Sequence, residues 1–318
     1  MNALVAPRFI DLAPSVSLVR DAAIEGLSRI PKSLPPWLFY DERGSRIFET
    51  ITHQPEYYPT RCELSILHRH GREIAEALGE GCCLIELGSG SSRKIRTLLR
   101  VMRDPGGYVA IDVSREQLRS AVTELARDYP AIPMTGIVAD FATGGFAFDA
   151  GRARTVAFFP GSTIGNMEPD EAVAFLKPWR QRLAGGGMLI GVDLVKDAAT
   201  LDAAYNDAAG VTAAFNRNLL ARLNRECDAR FDPAAFGHRA FWAARRSRVE
   251  MHLQSPVAQR VRVAGENISF ERGETIHTEN SYKYTLDGFH DLVRAAGFTP
   301  QHVWSDERGW FSVHFVSA

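Results

Sequence analysis

The sequence is poor in cysteine, has no excess of charge of either sign, and contains no long apolar run. Its four cysteines, Cys62, Cys82, Cys83 and Cys227, form no C-x-x-C pair, so the pattern predicts reduced core residues rather than a disulfide framework. Lys and Arg number 37 against 38 for Asp and Glu, which leaves no net field to attract nucleic acid or an anionic membrane.

Membrane segments and metal motifs are also missing. No window approaches the ~20 consecutive apolar residues of a membrane span, and the N-terminus lacks the charged start and apolar core of a signal peptide. His68 and His70 are two positions apart, which on a helix directs them to different faces, so they do not suggest a metal site. We therefore expect a cytoplasmic protein that binds no metal, no nucleic acid and no membrane. We also expect a monomer, although none of these patterns determines the oligomeric state.

The sequence does contain a strand, turn and helix pattern between Cys82 and Met102. A short apolar run predicts a buried strand, and Gly88 and Gly90 predict a tight turn after it. Apolar residues then recur at the three-and-four spacing of an amphipathic helix, which Ser91 and Ser92 can cap. Such a unit typically opens a nucleotide-binding α/β sheet.

The third glycine of the dinucleotide-binding motif is absent, and its absence indicates which kind of nucleotide is bound. Dinucleotide sites normally carry G-x-G-x-x-G, but the third glycine position here is Arg93. The pattern Glu86-x-Gly88-x-Gly90 instead suits S-adenosylmethionine (SAM), which has no phosphate and needs only close backbone approach for its amino acid end. An ordinary strand-to-helix turn remains the alternative for this segment alone.

Beyond residue 102 the chain alternates strands and helices, which predicts a mostly parallel sheet with helices on both faces. Asp112 ends the second strand 24 positions after Gly88, near the ~20 expected for a ribose-binding carboxylate. Asp140 ends the third strand, where it can accept the adenine amine, and Phe141 can cover the adenine face. Ligands of open α/β sheets bind at such strand ends, so we expect one nucleoside site here.

The fourth strand, 155–159, runs into a loop of small and polar residues at 160–166. Asn166 offers two donors and an acceptor where the transferred group is expected to lie. The alternative for Asn166 is an Asx turn that leads into a helix at 169–183.

After a fifth strand the alternation stops. A long helical pattern, 201–226, is followed by two apparent strands at 241–256 and 258–270. Residues 273–284 are dense in hydrogen-bonding side chains without helical or strand periodicity, which suits recognition of a polar ligand. A helix and a closing antiparallel hairpin, typical of SAM-dependent methyltransferases, complete the chain.

These patterns together predict an α/β fold: a Rossmann-like class I methyltransferase sheet with a C-terminal antiparallel hairpin, plus a second α+β substrate lobe. We expect four segments: an N-terminal helical segment that contributes to the substrate lobe (1–80), the SAM-binding methyltransferase core (81–195), an inserted substrate-binding lobe (196–284), and a return to the core (285–318).

Several motifs resemble those of the SAM-dependent histidine Nα-methyltransferases of ergothioneine biosynthesis. The most particular are Phe159-Pro-Gly-Ser-Thr-Ile-Gly-Asn166 and Thr278-Glu-Asn-Ser-Tyr-Lys-Tyr284. Matching stretches also occur at 31–36, 57–61, 86–90 and 204–212, so the resemblance covers nearly the whole chain.

The resemblance implies a role for each matching residue. Those implied to bind SAM are Gly88, Lys94, Asp112, Asp140 and Phe141. On the substrate side it implies Tyr57 and Asn166 at the α-amino group, Asn166 and Tyr205 at the α-carboxylate, Glu279 and Ser281 on the imidazole, Met251 at the pocket wall, and Asn280 between two contact residues.

The implied reaction is successive methylation of the α-amino group of L-histidine to the betaine hercynine, with S-adenosyl-L-homocysteine as the product of SAM. Tyr57 and Asn166 would be the catalytic residues, because the amine must be oriented and must lose its proton before attack. The alternatives are the same fold acting on another aromatic amino acid such as tryptophan, and a SAM-binding protein without catalysis. A nicotinamide oxidoreductase is disfavoured by Arg93 and by the C-terminal hairpin.

Overall fold

The computed structural model describes residues 6–12, 16–90, 92–142 and 153–318. Within these ranges the chain forms two compact units. The first comprises the described residues of 6–12, 59–195 and 282–318, and the second those of 16–58 and 196–281. None of the helices in the described ranges is long and apolar enough to cross a membrane.

The helices in chain order are α1 (Val16–Ser28), α2 (Glu42–Ile51), α3 (Pro59–Leu78), α4 (Arg93–Leu99), α5 (Arg115–Asp128), α6 (Pro169–Arg182), α7 (Ala198–Tyr205), α8 (Val211–Glu226) and α9 (Leu286–Ala295). The strands are β1 (Arg8–Asp11), β2 (Lys32–Ser33), β3 (Cys83–Leu87), β4 (Gly107–Asp112), β5 (Met134–Val138), β6 (Thr155–Phe159), β7 (Gly187–Asp193), β8 (Gly237–Ala243), β9 (Arg248–Gln254), β10 (Gln259–Val263), β11 (Glu266–Phe270), β12 (Thr275–Tyr282), β13 (Thr299–Ser305) and β14 (Phe311–Ser317).

The first unit contains an eight-stranded sheet in the order β1-β5-β4-β3-β6-β7-β14-β13. The first six strands are parallel, and β14 and β13 complete the sheet as an antiparallel hairpin. This arrangement confirms the predicted α/β fold class with its closing hairpin.

Apolar side chains cover both faces of this sheet. Along β3, Ile85 and Leu87 belong to a core cluster shared with α6 and α9, whereas Leu84 belongs to one shared with α3, α4 and α5. Successive strand residues point to opposite faces, and a parallel strand buried on both faces appears in sequence as a continuous apolar run. The core strands were therefore recognisable from sequence.

The N-terminal segment differs from the expectation for residues 1–80. Arg8–Asp11 forms an edge strand that pairs in parallel with β5, and Ile66, Leu67 and Ile74 of α3 join the core of the first unit. Of the described residues of this segment, only 16–58 fall in the second unit. A four-residue edge strand is too short for alternation to show, and helical periodicity marks a buried face without identifying what covers it.

The second unit contains a four-stranded sheet, β2-β12-β9-β8, and the separate hairpin β10-β11. The single helix expected at 201–226 is wrong, because the chain breaks between α7 and α8. Gly210 adopts a left-handed conformation with φ 70°, and the Asp207 carboxylate accepts hydrogen bonds at 2.7 Å from the backbone amides of Val211 and Thr212. An Asp that binds the first amides of a helix favours a new start there.

The polar segment expected to lack regular structure is also different. Thr275–Tyr282 forms β12, which pairs in parallel with β2 and lies between β2 and β9 in the sheet. Six of its eight residues are buried, so polar side chains lie on both faces of the strand. Alternation, which identifies a half-exposed strand, is lost for this reason.

Candidate active site

The glycine turn between β3 and α4 is shaped by backbone geometry. Gly88 and Gly90 have φ values of 73° and 47°, a region that L side chains rarely adopt. A Cβ atom on Gly88 would lie 3.6 Å from the ring of Phe141. Ser92 occupies the N-cap position with φ 57° and makes no side-chain cap hydrogen bond, so it does not cap the helix; Ser91 lies outside the described residues.

Asp112 stabilises this turn from the end of β4. Its Oδ2 accepts a hydrogen bond from the Gly90 amide at 3.1 Å, and its Oδ1 accepts one from the Ser114 amide at 2.8 Å. Burial raises the pKa of Asp112, and these amide donors oppose the rise. The carboxylate oxygens are therefore oriented by backbone groups and keep lone pairs that fit ribose hydroxyls.

Asp140 and Phe141 follow β5 at the same edge of the sheet. The Asp140 Oδ1 accepts a hydrogen bond from the Ala142 amide at 2.9 Å, and burial raises the pKa of this carboxyl. The ring of Phe141 makes edge contacts with Phe159 and Phe175, with centroids 5.5 and 6.2 Å apart. An acceptor beside a fixed ring fits the adenine end of SAM.

The hydroxyl of Ser89 provides a separate test of whether this turn fits a ligand. Its Oγ is buried and has no hydrogen-bond partner in the described part of the chain. Buried hydroxyls are normally paired, so an unpaired one inside a turn of left-handed glycines fits a polar ligand that approaches the backbone. The residues present therefore fit SAM.

Lys94 lies beside the loop at 160–166 because of an acid that sequence analysis missed. Its Nζ is 2.6 Å from Oε2 of Glu63, a residue of α3 with no exposed surface. The Gly161 amide donates to both Glu63 oxygens, at 3.1 and 2.9 Å. An ammonium group has three donors, so the ion pair leaves Lys94 able to bind a carboxylate. Nothing local marks Glu63, which lies within an ordinary amphipathic helix.

The acid of the glycine motif, Glu86, is only 1% exposed and accepts a hydrogen bond from the Tyr108 hydroxyl. Burial raises the pKa of Glu86 to about 8. Its carboxyl is therefore mostly protonated at neutral pH and supports the sheet beneath the turn as a neutral hydrogen-bonding group.

Asn166 ends a short 3-10 helix, Thr163–Asn166, and is half-buried. Helix α6 is capped instead by Glu168, which forms a capping box with Glu171. The helix start therefore does not require the Asn166 side chain. The alternative of an Asx turn into the helix is not what caps α6.

In the second unit, two of the proposed substrate residues meet. The Tyr205 hydroxyl donates to Ser281 Oγ at 2.6 Å. Glu279 is 8% exposed and lies two positions before Ser281 on β12, so strand alternation directs both to one face. Met251 on β9 is 2% exposed. Sequence patterns gave no sign of the pairing between Tyr205 and Ser281, because these residues are 76 positions apart.

The remaining predicted residues are divided between the units. Tyr57 is half-buried, with its ring 6.2 Å from that of Phe48 within the second unit. The Asn280 Oδ1 atom accepts a hydrogen bond from His277 Nε2 at 2.8 Å, so Nε2 carries the proton in this pair. The first unit holds Gly88, Lys94, Asp112, Asp140, Phe141 and Asn166, and the second holds Tyr57, Tyr205, Met251, Glu279, Asn280 and Ser281.

Glu250, His252 and His277 form a group whose possible metal-ligand atoms lie within 4.8 Å of one another. The Glu250 carboxylate already pairs with the Arg248 guanidinium at 2.7 Å and with His252 Nε2 at 3.1 Å. A cation would compete with the buried Arg248 for this acid, so the group is best described as an ion-pair cluster. The absence of a metal stays a prediction.

Comparison with known proteins agrees with this geometry and confirms the resemblance. The family model described as histidine-specific methyltransferase, SAM-dependent, matches residues 19–318. The chain is 44% identical over 295 residues to a histidine N-alpha-methyltransferase of Mycolicibacterium smegmatis, with 91% of each chain covered. It is 40% identical over 323 residues to a histidine N-alpha-methyltransferase of Mycobacterium tuberculosis, with 100% of each covered.

A more distant relative is ergothioneine biosynthesis protein 1 of Neurospora crassa, which is 32% identical over 296 residues. The match covers 86% of this chain and 32% of that protein. From the family match and the two full-length relatives, together with a glycine turn and strand-end carboxylates that fit SAM, we conclude that this chain is an enzyme that belongs to the SAM-dependent, histidine-specific methyltransferase family.

Proposed function

We propose that the enzyme transfers three methyl groups in succession to the α-amino group of L-histidine, giving hercynine for ergothioneine biosynthesis. Two relatives that match nearly the full chain are named histidine N-alpha-methyltransferases, and a third is named for ergothioneine biosynthesis. The observation that carries the substrate assignment is the buried carboxylate of Glu279 on the same strand face as Ser281.

When bound, SAM supplies an activated methyl group on its sulfonium. The residues of the first unit hold and orient it. Asp112, fixed by two backbone amides, accepts from the ribose hydroxyls, while Asp140 and Phe141 bind adenine. Lys94, oriented by Glu63, and the glycine turn bind the amino acid end.

A second set of residues distinguishes histidine from other amino acids. Glu279 accepts an imidazole N–H in a charge-assisted hydrogen bond, and Ser281 serves the other ring nitrogen. A plain phenyl side chain offers no N–H group to this buried acid, and polar sites reject analogues that lack a matching donor. Tyr205 and Asn166 bind the α-carboxylate, Met251 walls the side-chain pocket, and Asn280 lies beside the two imidazole contacts.

The amine must be neutral to attack. Tyr57 and Asn166 orient it, and Tyr57, with water, helps its proton leave. The main contribution of these residues would be to hold the amine in a fixed orientation for the transfer. As methyl groups accumulate, the contacts to N–H groups give way, so this part of the pocket must accept increasing bulk.

The test is an assay of the purified protein with SAM and either L-histidine or L-tryptophan, with products identified by mass spectrometry. We expect mono-, di- and trimethylated histidine and no methylated tryptophan. Turnover of tryptophan in place of histidine would contradict the substrate assignment, and a product that stops at one methyl group would contradict trimethylation. SAM binding by calorimetry without product from either amino acid would favour a binding protein without catalysis.

A further inference from the structure

A buried hydrogen-bond network lies in the second unit around Asn216, a residue of α8 with no exposed surface. Its Nδ2 atom is 2.9 Å from His238 Nδ1 and 3.0 Å from the backbone oxygen of His252. Its Oδ1 atom accepts a hydrogen bond from Thr278 Oγ1 at 2.9 Å. Both N–H groups and the oxygen of this amide therefore have partners.

The orientation of the Asn216 amide follows from those partners. A backbone carbonyl only accepts hydrogen bonds, so the His252 oxygen requires the amide nitrogen on its side. The second N–H of that nitrogen is then directed to His238 Nδ1. His238 Nδ1 must be the unprotonated, accepting nitrogen of the ring.

The other ring nitrogen of His238 gives the same assignment independently. His238 Nε2 is 2.9 Å from the backbone oxygen of Tyr205, which can only accept, so Nε2 carries the proton. Burial lowers the pKa of His238, and nearby Arg217 lowers it further, whereas the Tyr205 carbonyl and Asp207 oppose the shift. The neutral Nε2–H tautomer satisfies every partner of the ring.

The same network includes residues that the proposed function assigns to substrate binding. Tyr205 accepts from the imidazole through its backbone oxygen and donates through its hydroxyl to Ser281 Oγ. Ser281 lies on β12 three positions after Thr278, which donates to Asn216. Glu279 lies between these two anchored positions of the strand.

We infer that Asn216 and His238 are positioning residues that hold Tyr205 and Glu279 in the geometry that binds the amino acid substrate. This inference rests on the proposed function, because it takes Tyr205 and Glu279 as substrate contacts. The inference requires this tautomer, because a proton on His238 Nδ1 would point at the N–H of Asn216. The hydrogen bonds that connect α8 to the Tyr205 carbonyl through the His238 ring would then be lost.

The kinetic test uses His238→Leu and His238→Gln. Leucine removes both polar atoms, whereas glutamine keeps one acceptor and one donor at about the spacing of the ring nitrogens. We expect His238→Leu to raise the KM for the amino acid about tenfold, as loss of a buried hydrogen bond does, with a smaller change in kcat. His238→Gln should recover most of the loss. The dissociation constant of SAM, measured by calorimetry, should not change in either variant.

The matched control is His68→Leu, since His68 is exposed on α3 and takes no part in the network; its kinetics should equal those of the wild type. A merely structural role for His238 would lower the melting temperature and kcat of both variants without a selective effect on KM or rescue by glutamine. An unchanged KM in His238→Leu, or no rescue by His238→Gln, would overturn the inference.

A second measurement addresses the tautomer directly. In protein labelled with ¹⁵N-histidine, the His238 signals are identified by their loss in His238→Gln, and we expect a protonated Nε2 and an unprotonated Nδ1 at pH 7. A charged ring, or a proton on Nδ1, would overturn the inference.

These outcomes remain separable from failure of the proposed function. If the wild type methylates tryptophan rather than histidine, the proposed function fails, and the same KM comparison is made with tryptophan, whose carboxylate would also contact Tyr205. If it methylates neither, the proposed function and the positioning role fail together, whereas an unchanged KM in His238→Leu of an active enzyme overturns the inference alone.

Discussion

The two units orient their polar side chains in different ways. In the first unit, Asp112 and Asp140 are held mainly by backbone amides within the next few residues or in the adjacent turn. In the second unit, Tyr205 pairs with Ser281, and Asn216 with Thr278, through side chains 76 and 62 positions apart. In the proposed roles, the carboxylates for ribose and adenine are oriented locally at strand ends, whereas the substrate contacts are oriented by packing between distant elements.

The largest difference between substrate binding and cofactor binding is expected for Glu279→Ala. Loss of a charge-assisted hydrogen bond to the imidazole should lower kcat/KM for histidine about 100-fold, while calorimetry should find SAM affinity unchanged. The matched control is Glu266→Ala, because Glu266 is exposed on β11. A parallel fall in SAM affinity would mean that Glu279 has a structural role instead.

The reverse experiment is Asp112→Asn. The asparagine amide has only one acceptor oxygen. Its NH₂ group would therefore either face the backbone amides of Gly90 and Ser114 or replace an acceptor for the ribose. SAM affinity should fall by tenfold or more, and each factor of ten corresponds to about 1.4 kcal/mol of binding free energy. At saturating SAM the KM for histidine should change little. Asp287→Asn, at an exposed position of α9, is the control. Unchanged SAM binding in calorimetry would remove Asp112 from the cofactor site.

Tyr57→Phe tests the chemistry rather than either binding step. Without the phenol to orient the amine and assist its proton, kcat should fall about tenfold, while SAM still binds. This loss is smaller than the ~10²–10⁴-fold of a full general base, because water can still accept the proton. Tyr129→Phe, in the half-buried residue that follows α5, should keep the wild-type rate. An unchanged rate in Tyr57→Phe would exclude Tyr57 from the mechanism.

The smallest expected effect concerns the pH dependence of stability. Because the pKa of Glu86 is raised to about 8, the folded protein holds this proton where the unfolded chain has lost it, so Glu86 makes stability fall as pH rises from about 4.5 to 8. Glu86→Gln cannot ionise and can still accept from Tyr108.

The melting temperature of Glu86→Gln should therefore decline less than that of the wild type between pH 5 and 8. The difference between the two declines should be ~2–4 °C for each kcal/mol of unfolding free energy that the wild type loses through Glu86. Glu116→Gln, at an exposed position of α5, should follow the wild-type curve. A wild-type slope in Glu86→Gln would mean that Glu86 is ionised in the folded protein.

Sequence patterns predicted the sheet of the first unit well because its strands are apolar runs and its ligand groups follow them directly. They gave wrong or no secondary structure where burial and distant contacts, rather than local pattern, determine the element. The edge strand Arg8–Asp11 is too short to recognise, β12 is buried on both faces and so shows no alternation, and the break before α8 depends on Asp207 and Gly210. The roles of the individual site residues stay predictions that the experiments above test.

The sequence by itself determined the α/β class, the strand ends at Asp112 and Asp140, and the family. Periodicity and motif spacing are properties of residues close together in the sequence, so they can be recognised without the structure. Only the tertiary structure identified the partners: Glu63 with Lys94, Tyr205 with Ser281, and Asn216 with His238. Hydrogen bonds between side chains depend on which elements pack together, and packing joins residues whose separation in sequence carries no periodic signal.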